Sequence, residues 1–250
     1  MHIDAPLNSH IPALRALWKE AFWDSDAFLN AFFQTAYSPD RCRCVWLDGQ
    51  LAAMLYWFDC QASGKKTAYL YAIATRADLQ GKGLCRALME NTHALLSDQG
   101  YAGAILVPGS DSLFRFYEKA GYKTFGGIQK ITCAASGKAV SLRAIGRDEY
   151  AALRKAHLPA GSVVQEGCTL DFLQTQAQFY AGDGFVLAAT PGENELFIPE
   201  ILGDTTLLPG ILQSLNAKKG AARTPGSTPF AMYLPLKNFP PPTYFGLALD

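Results

Sequence analysis

Gln80-Gly81-Lys82-Gly83-Leu84-Cys85-Arg86 is the stretch of this chain whose residue types and spacing best suit chemistry. It lies between a strand-like run, residues 67–75, and a run with helical periodicity, residues 83–97. A strand, a glycine turn and a helix start make an anion site. The first backbone N–H groups of a helix have no intrahelical partner, and the helix dipole favours negative charge there. Glycine lets the backbone approach a ligand closely. Lys82 and Arg86 add positive charge that suits a phosphate. A tight turn with solvated basic side chains is the plainer reading of the same residues.

The surrounding elements follow from periodicity and turn chemistry. Asn8 or Ser9 caps a first helix with Leu14, Leu17, Trp18 and Phe22 on one face, and Ser25 caps a second. Asp48-Gly49 and Ser63-Gly64 mark hairpin turns between strands over 41–47, 50–60 and 67–75. The helix from Gly83 ends at Gly100, and residues 102–107 read as a short buried strand. Ser110 or Ser112 caps a further helix ending at Gly121, and residues 122–134 are extended. Strand, helix and strand from Tyr69 to Val107 should form one parallel right-handed crossover beside antiparallel hairpins. The fold class is therefore α/β with a mixed sheet.

Length predicts two domains, 1–135 and 140–250, divided near Ser136-Gly137-Lys138. Helices over 147–157, 170–180 and 206–217 and strands over 185–190, 195–202 and 230–236 continue the chain, with a turn at Pro191-Gly192. Thr75 to Gly103 and Leu202 to Phe230 span equal lengths of chain, which supports a degenerate internal repeat. The second copy has no glycine loop and should hold no cofactor. After Pro240-Pro241-Pro242, residues 244–249 should add a last strand.

Composition narrows the classes. Apolar residues make up 49% and charged residues 18%, and formal net charge is zero, which points to a globular protein with no nucleic-acid or membrane partner. No apolar run is long enough to span a bilayer, and the N-terminus lacks the pattern of a signal peptide. Six scattered cysteines without a CxxC pair read as buried free thiols of a cytoplasmic protein, with Cys42 and Cys44 on one strand face. No His, Cys or Asp spacing fits a metal. His10, His93 and His157 read as surface or packing residues.

At the glycine loop the first unit resembles the GCN5-related N-acetyltransferase family, whose signature is Gln/Arg-x-x-Gly-x-Gly/Ala between a strand and a helix. Cys85 stands where that signature has Gly or Ala. A second family run, Phe116-Tyr117-Glu118-Lys119-Ala120-Gly121-Tyr122, is complete, although Ser110 stands where the family often has Asn. The tandem layout also looks like the enhanced-intracellular-survival acetyltransferases without their sterol-carrier-like domain. The resemblance implies a GNAT fold followed by a degenerate GNAT-like unit. It implies acetyl-CoA as co-substrate and no metal. Gln80, Gly81, Lys82, Gly83, Leu84, Cys85 and Arg86 would hold the pyrophosphate, with Ser112 beside it. Backbone groups of Ile73, Ala74 and Thr75 would align the acyl arm and stabilise negative charge developing on the carbonyl oxygen. Tyr117 would be the general acid, because a phenol can protonate a departing thiolate. On periodicity alone Tyr117 is a packing residue.

Transfer of an acetyl group to an amine also needs a base. Glu20, Asp24, Asp26, Asp59, the terminal carboxylate at Asp250 and a water relay all remain open. The acceptor pocket is expected between the first two helices, the third strand and the second unit. Of the aromatics there, Trp18, Phe22, Trp23, Tyr56 and Trp57, most should be core. Any that line the pocket would suit an apolar or a cationic acceptor, and Asp24 and Asp26 would favour a cationic amine. The acceptor is a small-molecule or peptide amine. The rival reading is a catalytically inactive acyl-CoA-binding regulatory module, and a second unit that mediates homo-oligomer formation is compatible with either.

Overall fold

The computed structural model describes residues 1–192 and 195–249, which divide into two compact units. Unit 1 comprises Met1–Leu106, Ser110–Lys123 and Tyr233–Pro241, and unit 2 comprises Val107–Gly109, Thr124–Met232 and Pro242–Asp250. The whole is a mixed α/β protein. No helix among the described residues is long and apolar enough to cross a membrane.

Unit 1 runs β1 (His2–Asp4), α1 (Ile11–Phe22), α2 (Asp26–Thr35), β2 (Cys42–Leu47), β3 (Gln50–Ala62), β4 (Lys65–Thr75), α3 (Leu84–Asp98), β5 (Gly103–Leu106) and α4 (Asp111–Lys119). The chain later supplies β13 (Thr228–Pro235), and the sheet order is β1-β2-β3-β4-β5-β13. Ser25 caps α2 as the sequence predicts, its hydroxyl accepting from Phe28 N at 3.2 Å. The first helix starts later than predicted, after a 3-10 turn over Asn8–His10. β1 is a strand the sequence analysis missed; it pairs antiparallel with β2. β4 and β5 form the predicted parallel pair around α3, while β2, β3 and β4 are antiparallel. Aromatic rings fill the face of the sheet under α1 and α2. Trp18 lies 4.6 Å from Phe32 and 5.3 Å from Tyr56, ring centre to ring centre. Trp18, Tyr56 and Trp57 are buried, so three of the five candidate pocket aromatics are core.

β5 is completed from the far end of the chain. Tyr233 Oη, Leu236 N and Lys237 N all donate to Ala102 O, and the Tyr233 ring fills the space where a side chain at Gly103 would stand. Glycine at 103 is thus required by a close approach rather than by a turn.

Unit 2 contains β6 (Lys123–Ala134), β7 (Leu142–Ile145), α5 (Arg147–His157), β8 (Val163–Gln165), α6 (Cys168–Gln176), β9 (Gln178–Gly182), β10 (Phe185–Pro191), β11 (Glu195–Gly203), α7 (Leu208–Ser214) and β12 (Lys219–Pro225). Its sheet order is β13-β6-β12-β11-β10-β9-β7. β11 and β12 are parallel around α7, the same crossover as β4-α3-β5 in unit 1. The strand after α7 is β12, not the run near Phe230, so the equal intervals do not join equivalent strands. The predicted helix over 206–217 shortens to α7 after a 3-10 turn, Thr205–Leu207, with Pro209 in its first turn. The turn placed at Pro191-Gly192 runs into Glu193 and Asn194, which lie outside the described residues.

Residues 244–249 form no strand. They are mostly buried and held by single hydrogen bonds, with Val163 N donating to Tyr244 O, Gln165 Nε2 to Leu247 O and Arg223 Nη2 to Ala248 O. All six cysteines are free. Cys42, Cys44 and Cys60 are buried, whereas Cys85, Cys133 and Cys168 are only half-buried. The Cys42 and Cys44 sulfurs sit 3.9 Å apart on one face of β2.

Candidate active site

β4 carries a bulge just before its end. Tyr56 pairs with Tyr71 and Met54 with Ala74, so Ala72 and Ile73 together oppose Leu55. Ala72 takes φ 49°, which twists the strand. On its other side β4 pairs with β5 only over Thr67, Ala68 and Tyr69. The end of the strand, with Ile73, Ala74 and Thr75, therefore runs on past its β5 partner. Thr75 Oγ1 is buried and has no hydrogen-bond partner, an orphaned polar atom at the strand's end.

Beyond Thr75 a 3-10 turn, Ala77–Leu79, leads into the glycine loop. Glu20 of α1 fixes this turn, its Oε1 accepting from Ala77 N at 2.7 Å. Gly81 and Gly83 both take left-handed φ, 73° and 80°, and a Cβ added at either meets nothing within 4 Å. The loop therefore presents bare backbone beside open space. Gly83 is the N-cap of α3, no side chain caps the helix, and its first turn holds no acidic residue. Lys82 and Arg86 are exposed there, while Leu84 is buried and anchors the turn. Lys82 Nζ donates to Asp78 O at 3.1 Å, and Gln80 Nε2 to Thr75 O at 3.4 Å. Uncapped N–H groups, the helix dipole and two cations all act in one direction, toward an anion.

Tyr117 lies on α4 and is 6% exposed. Its hydroxyl has no hydrogen-bond partner among the described residues. Burial first, and the nearby Cys85 second, push the phenol well above the ordinary tyrosine range, so it stays protonated. Burial likewise raises Cys85 to about 11. Cysteine in the place of glycine or alanine is thus a neutral, half-buried thiol. Ser110 is the N-cap residue of α4 but makes no cap hydrogen bond; its hydroxyl lies 2.9 Å from that of Ser112, and both are exposed.

Between α3 and α4 lies a pocket of about 290 Å³ lined by Arg86, Met89, Glu90, His93, Phe116 and Lys119, with Ala120 at its edge. The sequence analysis missed it. The available signal was that positions 86, 89, 90 and 93 repeat on one helical face. His93 meets Tyr122 Oη at 2.7 Å, and burial lowers its pKa from 6.5 to about 4. A His held neutral by the fold is protonated more readily in the unfolded chain. Its contribution is intact above pH 6.5 and is lost as pH falls toward 4. At pH 5 the loss should be about 2 kcal/mol relative to pH 7. His93→Gln should therefore show a smaller drop in denaturant midpoint between pH 7 and pH 5 than the parent; equal drops would refute the assignment.

Every described carboxylate considered as a base already has a partner. Glu20 holds Ala77 N, and Asp24 Oδ2 accepts from Trp18 Nε1 at 2.8 Å. Asp26 pairs with Lys19 at 2.6 Å and Arg15 at 3.3 Å, and the Lys19 hydrogen bond holds its carboxyl below the usual range. Asp59 accepts from Tyr101 Oη and lies near Arg41 and Lys66. It opposes Ala68, about 20 Å along β4 from Thr75 at the usual rise per residue. Asp250 lies outside the described residues. Among the described residues no cluster of three His, Cys, Asp or Glu could hold a metal ion.

A family model described as "Acetyltransferase (GNAT) domain" matches residues 3–125. No curated protein matches the sequence. Among solved structures, a GCN5-related N-acetyltransferase from Anabaena variabilis is similar with a TM-score of 0.71 at 13% identity, covering 94% of this chain and 73% of that one. Another from Kribbella flavida gives 0.69 at 14%, covering 94% and 72%. Eis1 from Mycobacterium abscessus gives 0.63 at 11%, covering 92% and 66%. At these identities the likeness is one of fold. The domain match covers the residues that carry the glycine loop, β4 and α4: residues 3–125 match the acetyltransferase (GNAT) domain.

Proposed function

We propose that unit 1 is an acetyl-CoA-dependent N-acetyltransferase that passes the acetyl group directly to a small-molecule or peptide amine while both substrates are bound. One observation carries this reading. An uncapped glycine start to α3 and a largely buried Tyr117, its phenol held protonated by burial, occur together in one unit. The open space at Gly81 and Gly83 fits a pyrophosphate against bare backbone. Residues 81–86 would bind it, with Lys82 and Arg86 as countercharges and Gln80 bracing the turn. Thr75 Oγ1 and the backbone of Ile73 and Ala74 would align the arm that follows. When bound, acetyl-CoA supplies an acyl carbon with a thiolate leaving group. Tyr117 holds a proton at Oη for the sulfur that departs. With Glu20, Asp24, Asp26 and Asp59 engaged, the amine's proton leaves through water.

Unit 2 supports a single site per chain. The turn before α7 is occupied by its own residues, with Asp204 Oδ1 accepting from Thr206 N and Thr206 Oγ1, and that carboxylate disfavours an anion.

Purified protein given acetyl-CoA and a panel of amines should release thiol only when an acceptor is present. The engaged carboxylates favour a second reading, an acyl-CoA-binding module without catalysis. It requires CoA affinity with no amine-dependent thiol release, and that result would displace the first.

A further inference from the structure

The sheet of unit 2 parts between its two parallel strands. β11 and β12 pair from Glu195 with Lys219 to Ile198 with Ala222. Beyond that point β11 stays on β10 as far as Gly203, and β12 stays on β6 as far as Pro225. The two strands therefore open into a wedge, as β4 does where it runs on past β5. Unit 1 follows its crossover with α4, whereas β12 leads to β13 through Gly226 and Ser227 with no helix. The end of the chain fills the wedge instead. Arg223, the first β12 residue past the paired stretch, donates from Nε to Pro199 O at 3.0 Å and from Nη2 to Ala248 O at 3.3 Å. Tyr244 reaches Glu200 of β11, and Phe245, Leu247 and Ala248 are at most 1% exposed.

This segment is held as a ligand is held. It joins no strand, and its main chain is gripped position by position. Thr243 N donates to Gly161 O at 3.1 Å, Val163 N to Tyr244 O at 2.9 Å and Gln165 Nε2 to Leu247 O at 2.8 Å. Gln165 and Arg223 are 1% and 3% exposed, and polar side chains so deeply buried need partners. The segment supplies carbonyls to both. A Cβ at Gly246 would collide with the Tyr244 ring, so glycine there lets the tyrosine fold back toward Glu200. The chain enters unit 2 for this last time at Pro242, after the exposed Pro240 and Pro241, and a proline run is a stiff spacer. We propose that unit 2 is a peptide-binding module, and that residues 243–249 are its resident ligand, bound in the wedge between β11 and β12. Where unit 1 is built for a coenzyme arm, unit 2 takes an extended apolar peptide carrying a tyrosine.

The test starts from the full chain. A protease site inserted between Pro240 and Pro241 is cut after folding. The released segment should co-elute with the body on gel filtration. An excess of fluorescein-labelled peptide spanning Pro241–Asp250 should replace it saturably. Once the cut segment has been washed away, the melting temperature should fall, and free peptide should restore it in proportion to its concentration. In the peptide, Tyr244→Phe should weaken binding about tenfold, through loss of a hydrogen bond to a buried carboxylate. Gly246→Ala should weaken it at least as much. Cutting that unfolds the protein beyond rescue by peptide would make the segment part of the core, and the proposal would fall. Equal affinity of the three peptides would overturn it too. So would displacement of the labelled peptide by S-octanoyl pantetheine, which would mean that the wedge still takes a coenzyme arm. No readout uses turnover, so the outcome stands whether or not unit 1 transfers an acetyl group.

Discussion

Tyr117→Phe should lower kcat by about a hundredfold, the usual scale for loss of a positioned proton donor, and leave acetyl-CoA affinity nearly unchanged. The substitution removes one oxygen from a ring that is already buried, so the packing against Phe116 and Tyr122 survives. It breaks no side-chain hydrogen bond to Tyr117 Oη among the described residues. A structural role for that oxygen would therefore show little effect on stability or turnover, and a catalytic role shows only in kcat. The raised pKa fixes the sign of the pH dependence. A phenol held above its ordinary range keeps its proton as pH rises, so the parent loses no activity through Tyr117 up to the normal tyrosine range near 10. Steady-state rates across pH 7–9 check both points. Equal turnover by the parent and Tyr117→Phe throughout that range would remove Tyr117 from the mechanism.

The largest expected effect on stability lies in unit 2. Arg154 and Glu200 are each 1% exposed and share two hydrogen bonds, 2.5 Å from Nε and 3.1 Å from Nη2. Tyr244 Oη donates to the same carboxylate at 3.1 Å, and Gln165 Oε1 accepts from Arg154 Nη2 at 3.4 Å. Arg154→Leu strands a buried carboxylate and should cost about 3–5 kcal/mol. In a chain of this size that lowers the melting temperature by on the order of 10 °C. Arg154→Leu combined with Glu200→Leu should recover most of the loss, since the pair is worth little against apolar residues of similar volume. Thermal melts of the single and double variants decide it. A single variant as stable as the parent would mean that the pair contributes nothing.

Local chemistry made unit 1 legible. Ser25, Asp48-Gly49, Ser63-Gly64 and Gly83 each mark a boundary by a mechanism that acts within a few residues, and the elements fall where those residues stand. Unit 2 depends more on distant pairing. Lys219, Gly220, Ala221 and Ala222 are poor strand formers, yet β12 lies between β11 and β6, whose hydrogen bonds override propensity. α6 stops at Gln176 with no glycine or proline to announce it, so the predicted helix ran on into β9. At the site, the glycine loop was plain in sequence. The bulge at Ala72 was not, because alanine gives no sign of a positive φ. Nor could the sequence show that Glu20 would be spent on Ala77 N, a contact between residues 57 positions apart.

The source of the last strand of unit 1 has a consequence during synthesis. A nascent chain that has emerged only as far as β5 exposes that strand's outer edge, Gly103–Leu106, until Tyr233 follows. At common translation rates the wait is roughly ten seconds. For that time unit 1 is nearly complete yet carries an open, fully apolar strand edge of the kind that recruits other chains. The ribosome-bound intermediate, rather than the finished protein, is then the species with the greatest need of a chaperone.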